Sequence, residues 1–154
     1  MKPDAERRSG ITPLIGISQP GLTLFEPAYI DELTEVLRWS FEHMQAPDGG
    51  SIYLRLSTRG LAQPQREMTG ELRHDIFEGA YWLKPPAEGS DLALIACGPV
   101  VPEALDAYAQ LAEDVPGAGL MMITSPDRLY RSWQAAQKDP LRTAGPCHIE
   151  RLLG

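Results

Sequence analysis

Residues 22–56 read LTLFEPAYIDELTEVLRWSFEHMQAPDGGSIYLRL and contain a strand, a helix and a second strand in succession. The first strand candidate is the apolar run Leu22–Phe25. Over residues 28–45, apolar side chains recur every three or four positions, which places them on one face of a helix. The Pro-Asp-Gly-Gly turn at 47–50 ends that helix, and 52–56 follows as the second strand. This succession predicts two parallel strands joined by a crossover helix.

The second half of the chain continues the alternation of strands and helices. Ala80–Lys84 is a strand candidate, and a short turn at 85–90 joins it to the apolar run 91–97. So short a turn predicts that these two strands are antiparallel neighbours. The unbroken apolar run predicts a strand that helices bury on both faces. Another buried strand is expected at 120–124, and Ser125 is expected to cap the helix that follows it.

The segment between these units carries two Gly, a Pro and several polar residues, without a sustained period. We therefore predict an interdomain linker at 57–78, between a first unit at 1–56 and a second unit at 79–154. The predicted fold class is α/β, with two partial or small three-layer α/β/α units and mostly parallel sheets. The first unit has only two convincing strands, whereas a buried sheet needs neighbours on both sides. The sequence thus indicates one piece of a larger assembly.

Composition excludes several classes of partner. The 154 residues carry a net charge of −7, from 14 basic and 21 acidic side chains, which argues against a nucleic-acid or anionic membrane surface. No apolar run approaches the roughly 18 residues of a membrane span. Cys97 and Cys147 form neither a disulfide framework nor a CxxC site. We expect a soluble, cytoplasmic protein that binds neither nucleic acid nor membrane.

The sequence identifies no catalytic or metal-binding constellation. Gly-x-Ser-x-Gly is absent, and His43, His74 and His148 are far apart in the sequence. Cys147 is adjacent to His148, but neighbouring side chains diverge on a helix or strand and do not form a nucleophile–base pair. The acidic residues of the first helix are interpreted as a solvated face. The predicted catalytic and metal-binding sets are therefore empty.

Ser57 and Arg59 are the two candidates for lining a substrate site. They follow the second strand directly, and ligands of open α/β sheets gather at the carboxyl ends of strands. The guanidinium of Arg59 could bind a carboxylate or phosphate with two parallel hydrogen bonds. The alternative is an ordinary surface arginine in an exposed loop.

Several segments resemble one enzyme family. Residues 20–29 (PGLTLFEPAY) and 52–57 (IYLRLS) are similar to the last part of the pyrimidine-binding domain of transketolase-like thiamine diphosphate enzymes. Residues 79–83 (GAYWL), 91–98 and 122–129 (MITSPDRL) resemble the start of their C-terminal domain. Within that superfamily, the pattern is most similar to the homodimeric decarboxylating component of pyruvate dehydrogenase.

This resemblance implies part of a thiamine diphosphate-dependent 2-oxo acid dehydrogenase. In the family, thiamine diphosphate and magnesium bind between two subunits, and the acyl group passes to a lipoyl acyltransferase. The family's Gly-Asp-Gly…Asn motif and its activating glutamate belong to earlier parts of the enzyme and are not in this sequence, so no cofactor-binding residue is assigned. This chain alone is expected to bind no cofactor and to contribute subunit interface and C-terminal domain.

Partners and alternatives follow from the same resemblance. The expected partner is a second copy or the remaining enzyme domains. In the loop after the second strand, pyruvate dehydrogenase relatives carry Glu and His where this chain has Arg59 and Ala62, a departure from the pyruvate pattern. The alternatives are a fragment of a transketolase, or a non-catalytic assembly module that docks through the Tyr81-Trp82-Leu83 strand and unfinished sheet edges.

Overall fold

The computed structural model describes residues 19–139 and 145–154. Its elements, in chain order, are β1 (Leu22–Phe25), α1 (Ile30–Gln45), β2 (Ser51–Leu54), α2 (Gly70–Glu78), β3 (Ala80–Lys84), β4 (Ala93–Cys97), a 3-10 turn (Gly98–Val100) leading into α3 (Val101–Asp114), β5 (Gly119–Ile123), α4 (Pro126–Lys138) and α5 (His148–Leu153). The first residues of the predicted 1–56 unit lie outside the described residues. No helix of the described part is long and apolar enough to cross a membrane.

The first unit has the predicted strand–helix–strand form. β1 and β2 are parallel, with Leu22 opposite Ser51 and Phe25 opposite Leu54, and α1 connects them. The helix begins at Ile30 rather than at 28, because the side chain of Glu32 accepts hydrogen bonds from the backbone just before the helix and caps it there.

The second sheet has the order β3-β5-β4, which corrects one expectation. β3 and β4 run in opposite directions as predicted, but they are not neighbours, because β5 lies between them. β5 pairs with β3 in antiparallel fashion and with β4 in parallel fashion. Adjacent strands lie about 4.8 Å apart, so the connection from Lys84 to Ala93 is long enough to step across one intervening strand.

Burial differs between the two apolar strands. β5 is buried as predicted, with Leu120, Met121 and Met122 almost inaccessible to solvent. The expectation that β4 is buried on both faces is wrong: among the described residues it is an edge strand of this sheet, and 63% of the surface of Ile95 is exposed. An apolar run by itself does not distinguish a central strand from an edge strand.

The predicted linker is not structureless, because its last nine residues form α2. The hydroxyl of Thr69 accepts a hydrogen bond from the backbone of Leu72 at 3.1 Å and caps the helix. Gly79, with φ of +113°, ends the helix in the left-handed conformation. The helix buries Ile76 against the rest of the fold. The proposed boundaries at 56/57 and 78/79 remain predictions.

A single hydrophobic core joins the two units. Buried residues from β1, α1, α2, β3, β4, α3 and β5 form one cluster: Phe25, Tyr29, Val36, Ile76, Tyr81, Ala96, Val101, Leu120 and Met122. The architecture is α/β, with two small, mostly parallel sheets flanked by helices. Residues on both sides of the predicted linker are therefore buried in the same core.

Hydrogen bonds also join the units along one edge of β1. The backbone N–H of Leu24 donates to Asp127 at 3.2 Å, and its carbonyl accepts from the hydroxyl of Ser125. The N–H of Glu26 donates to the carbonyl of Thr124 at 2.7 Å. Ser125 does not cap α4 as predicted, because its hydroxyl is directed to β1 and to the carboxylate of Asp127.

The opposite edge of this small sheet belongs to β2. The N–H of Ser51 donates to the turn before β1 at 2.7 Å, and the N–H of Arg55 donates to β1 itself at 2.9 Å. Backbone groups alternate in direction along a strand, so those of Ile52 and Leu54 face outward. Within 19–139 and 145–154, no strand pairs with this outer edge.

Candidate functional site

A groove of about 460 Å³ lies at the carboxyl ends of β1 and β2. The segment before α1, the loop after β2 and the turn after β4 form its walls, which include Tyr29, Leu33, Leu56 and Pro99. Both sequence candidates, Ser57 and Arg59, line it as well. The structure thus brings the two candidates to one concave surface, and their role toward a substrate remains a prediction.

Within the groove, Arg59 is held by the second unit. Its guanidinium donates to both carboxylate oxygens of Glu103, at 2.7 and 2.9 Å, and to the carbonyl of Pro99 at 3.1 Å. The pKa of Glu103 is lowered, first by a hydrogen bond to its own backbone and then by Arg59. The backbone N–H of Arg59 donates to the Ser57 hydroxyl at 3.1 Å. All three of these bonds use Nη1, so Glu103 occupies one nitrogen of this guanidinium.

A second polar cluster lies where β1, β2 and β4 end. Arg55 donates to the buried carboxylate of Glu26 at 2.6 Å, and this contact raises the pKa of Arg55. Burial, followed by the charge of Glu26, raises the pKa of the Cys97 thiol to about 12. Cys97 is therefore a protonated thiol and a poor nucleophile at neutral pH. Gly98, with φ of +61°, has no room for a side chain, because a Cβ would lie 2.6 Å from an oxygen of Glu26.

Glu32 is the centre of a buried polar network and is 0% exposed. One of its oxygens accepts from the N–H groups of Ala28 and Tyr29, at 2.7 and 3.2 Å. The other accepts from the hydroxyl of Tyr81 and from Arg66, the latter at 3.2 Å. Residues from α1, β3 and the predicted linker therefore meet at this carboxylate.

Arg66 anchors the loop before α2 within that network. Its guanidinium lies over the rings of Tyr29 and Tyr81, 5.2 and 4.9 Å from their centres, and donates to both oxygens of Asp31. Burial opposes the charge of Arg66, but the hydrogen bond to Asp31 and the contact with Tyr81 outweigh it and raise its pKa. Burial and the charge of Glu32 raise the pKa of Tyr81.

Sequence reasoning missed these buried carboxylates. The acidic residues of α1 are not all solvated as expected, since Glu32 and Glu35 are buried. Glu35 binds Arg38 and Arg73 at 2.7 and 2.8 Å. The sequence did carry one signal for Glu32. It is the third residue of the helix, and a glutamate at that position can cap the start of a helix.

The described residues do not fit a thiamine diphosphate–magnesium site. Their buried carboxylates, Glu26, Glu32, Glu35 and Asp127, are all bonded to donors within the chain. None is a free oxygen ligand for magnesium or an unpaired base for an aminopyrimidine. The expectation that this chain alone binds no cofactor remains a prediction.

The three histidines fall into two places. His43 stacks on Trp39, with ring centres 4.6 Å apart, and accepts a hydrogen bond from the N–H of Gly50. His74 and His148, which are 74 positions apart in the sequence, lie edge to face with ring centres 6.0 Å apart. Asp75 lies beside them. Only the tertiary structure brings this second group together.

Comparisons with known proteins find similarity in both sequence and fold. The chain is 25% identical over 157 residues to the pyruvate dehydrogenase E1 component of Mycolicibacterium smegmatis, an alignment that covers 96% of this chain and 17% of the relative. The R525L mutant of Pichia stipitis transketolase has a TM-score of 0.61 and 19% identity, over 84% of this chain and 18% of that protein. The fold is transketolase-like.

Two further matches agree with this fold. A split-gene transketolase, described as an inactive β4 tetramer, has a TM-score of 0.54 and 20% identity over 82% of this chain and 39% of its own. Transketolase from Leishmania mexicana has a TM-score of 0.53 at 14% identity. No protein-family model matches the chain. The resemblance to transketolase-like thiamine diphosphate enzymes is confirmed, and the chain spans about a sixth of the length of the curated relative.

Proposed function

We propose that this chain supplies the end of the pyrimidine-binding domain and the start of the C-terminal domain of a thiamine diphosphate-dependent 2-oxo acid dehydrogenase. It contributes subunit interface, and other domains supply the cofactor site, either in the same polypeptide or as separate chains. Thiamine diphosphate held by those other domains would supply the electron sink for decarboxylation, and a lipoyl acyltransferase would be the acceptor of the acyl group.

The observation that carries this proposal is the similarity to a pyruvate dehydrogenase E1 component along 96% of the chain. The first sheet agrees with it. One edge of β1 is bonded to the second unit, so additional strands can join this sheet only along the outer edge of β2. A two-stranded sheet is marginal by itself, and pairing along β2 would supply the neighbours that a buried sheet requires.

The groove has a role in this proposal. It lies at the carboxyl ends of parallel strands, where ligands of α/β sheets bind. In the assembled enzyme, Ser57 and Arg59 would line the approach of the 2-oxo acid, with the guanidinium of Arg59 binding the carboxylate of the substrate.

Reconstitution tests the proposal. The chain is mixed with a polypeptide that carries the cofactor-binding domain and the front of the pyrimidine-binding domain, and carbon dioxide release from 2-oxo acids is measured. We expect decarboxylation that requires both polypeptides and thiamine diphosphate. Ketol transfer from xylulose 5-phosphate, with no decarboxylation, would favour a transketolase instead. A chain that stays monomeric and inactive with every such partner would refute the proposal.

A matched pair of variants makes the test specific to the β2 edge. Ile52→Pro removes an outward-facing N–H and the apolar side chain of Ile52 that packs against the core, but none of the N–H groups that donate to β1, so pairing with an added strand is blocked. Ile52→Thr retains that N–H and the β-branched shape. We expect Ile52→Pro to abolish assembly and Ile52→Thr to assemble normally. Equal assembly of the two variants would show that the sheet is completed elsewhere.

A further inference from the structure

Two helices place three metal-ligating side chains around one point. His74 and Asp75 belong to α2 and His148 belongs to α5, and one ligand atom from each lies within 4.8 Å of the other two. Two imidazoles and one carboxylate form a donor set that divalent transition metals prefer, zinc among them. The ligands of tetrahedral zinc lie about 3.3 Å from each other, from bond lengths of about 2.0–2.2 Å. Modest side-chain rotations would bring the ligand atoms from within 4.8 Å to about 3.3 Å of each other.

One ring nitrogen of His148 is bonded to the backbone, which leaves the other for a ligand. His148 is 3% exposed, and its Nε2 lies 2.7 Å from the carbonyl oxygen of Ala80. A carbonyl can only accept, so Nε2 carries the hydrogen, and in the neutral ring the lone pair is on Nδ1. Metal-ligating histidines are commonly fixed in this way, with the second ring nitrogen donating to a backbone carbonyl.

The other two side chains can adjust to an ion. His74 is exposed and Asp75 is half-buried, so both can rotate without disturbing the core. Burial raises the pKa of Asp75, while the nearby His148, His74 and Arg151 act in the opposite direction, so this carboxylate lies in the field of both histidines. A cation bound among these side chains would be a closer partner for the carboxylate.

Arg151 competes for the same position. Its Nη2 lies 3.4 Å from Nδ1 of His148, and its Nη1 donates to the carbonyl of Pro146 at 3.1 Å. The side chain is exposed and can swing into solvent. An ion bound by His148 would replace this guanidinium with a shorter and stronger contact.

We propose that His74, Asp75 and His148 bind a divalent transition-metal ion, with zinc as the representative, and that a water completes the coordination. The ion fastens α5 to α2. At six residues, α5 is too short to be stable without such tertiary contacts. This inference goes beyond the proposed enzyme function and does not depend on it.

Calorimetric titration of the chelator-treated full chain with zinc chloride tests the site. We expect one zinc ion per chain, and X-ray absorption should show two imidazoles and an oxygen at about 2.0–2.2 Å. His74→Ala and Asp75→Asn should each weaken zinc binding more than about 100-fold. The loss of a direct ligand should cost more than the loss of a residue that only hydrogen-bonds to a ligand. His43→Ala is the matched control and should bind as the wild type does. Arg151→Ala should bind more tightly, because the competing donor is removed.

Circular dichroism of each variant distinguishes loss of the site from loss of the fold. Because His74 is exposed, we expect His74→Ala to fold normally and still to lose zinc. The proposal is overturned if the wild type shows no saturable binding. It is equally overturned if folded His74→Ala and Asp75→Asn bind zinc with unchanged affinity, or if Arg151→Ala binds more weakly.

Discussion

Substitution of Glu32 by glutamine tests whether its carboxylate joins the two units. Each carboxylate oxygen accepts two hydrogen bonds, from Ala28 and Tyr29 on one side and from Tyr81 and Arg66 on the other. Glutamine keeps only one oxygen, so its amide group must face one of these donor pairs. The less costly arrangement turns the amide toward Tyr81, whose hydroxyl can reverse and accept.

The structure gives the expected magnitude. In Glu32→Gln, the ion pair with Arg66 and the charge-assisted bond from Tyr81 are lost, at about 1.5–3 kcal/mol each. Reversal of the tyrosine hydroxyl recovers about 1 kcal/mol, and Arg66 keeps Asp31 as its partner. We expect the free energy of unfolding to fall by about 2–5 kcal/mol. For a chain of this length, the corresponding decrease in Tm is about 4–20 °C.

Urea unfolding measures this effect, with Glu42→Gln as the matched control. Glu42 is an exposed glutamate of the same helix, so its substitution should change the stability by less than about 0.5 kcal/mol. Circular dichroism and tryptophan fluorescence should show one shared transition for the wild type. If Glu32→Gln is as stable as the control variant, the carboxylate does not hold the units together and this reasoning fails.

Four further predictions concern the groove and its surroundings. Gly98→Ala should destabilise the fold by about 2 kcal/mol or more in thermal unfolding, because its Cβ would meet Glu26, whereas Gly60→Ala, with open space around it, should be neutral. Iodoacetamide should label folded Cys97 far more slowly than a free thiol at pH 9, measured by mass spectrometry with the other cysteine replaced by serine; fast labelling would contradict its raised pKa. Because burial raises the pKa of Cys97 from 9.0 to about 12, the unfolded chain loses the proton first, so this contribution to stability is complete below pH 9 and is lost as the pH rises toward 12. Arg59→Gln should change stability by less than about 1 kcal/mol, since its ion pair is exposed; a larger loss in urea unfolding would assign it a structural role.

Local patterns predicted the elements of this fold well. The helix between β1 and β2 follows from apolar spacing, and the alternation with strands predicts the α/β class. Local patterns do not predict the pairing order of β3, β4 and β5. The expected order, with β3 beside β4, and the observed order β3-β5-β4 place the same residues in strands. A short connection favours adjacent strands, but it does not require them.

Polar interactions over long sequence separations were the least predictable feature. Glu32 and Tyr81 are 49 residues apart, and Ser125 is 101 residues from Leu24. A solvated acidic helix face and a buried carboxylate have the same local sequence, so only the tertiary fold reveals which carboxylate is buried. The group around His148 was missed for the same reason, since no spacing rule connects it with His74.

The hydrogen bonds between β1 and the turn after β5 limit where the gene for this chain could be divided without separating bonded residues. A break at either predicted domain boundary would place the two partners of buried hydrogen bonds, such as Leu24 and Asp127, on separate molecules. Each piece would then have to fold with exposed polar groups that the other normally covers. Recombination or gene fission ahead of β1 would leave all these described bonds within one polypeptide. Residues 22–127 thus contain hydrogen-bond partners that division at either boundary would separate.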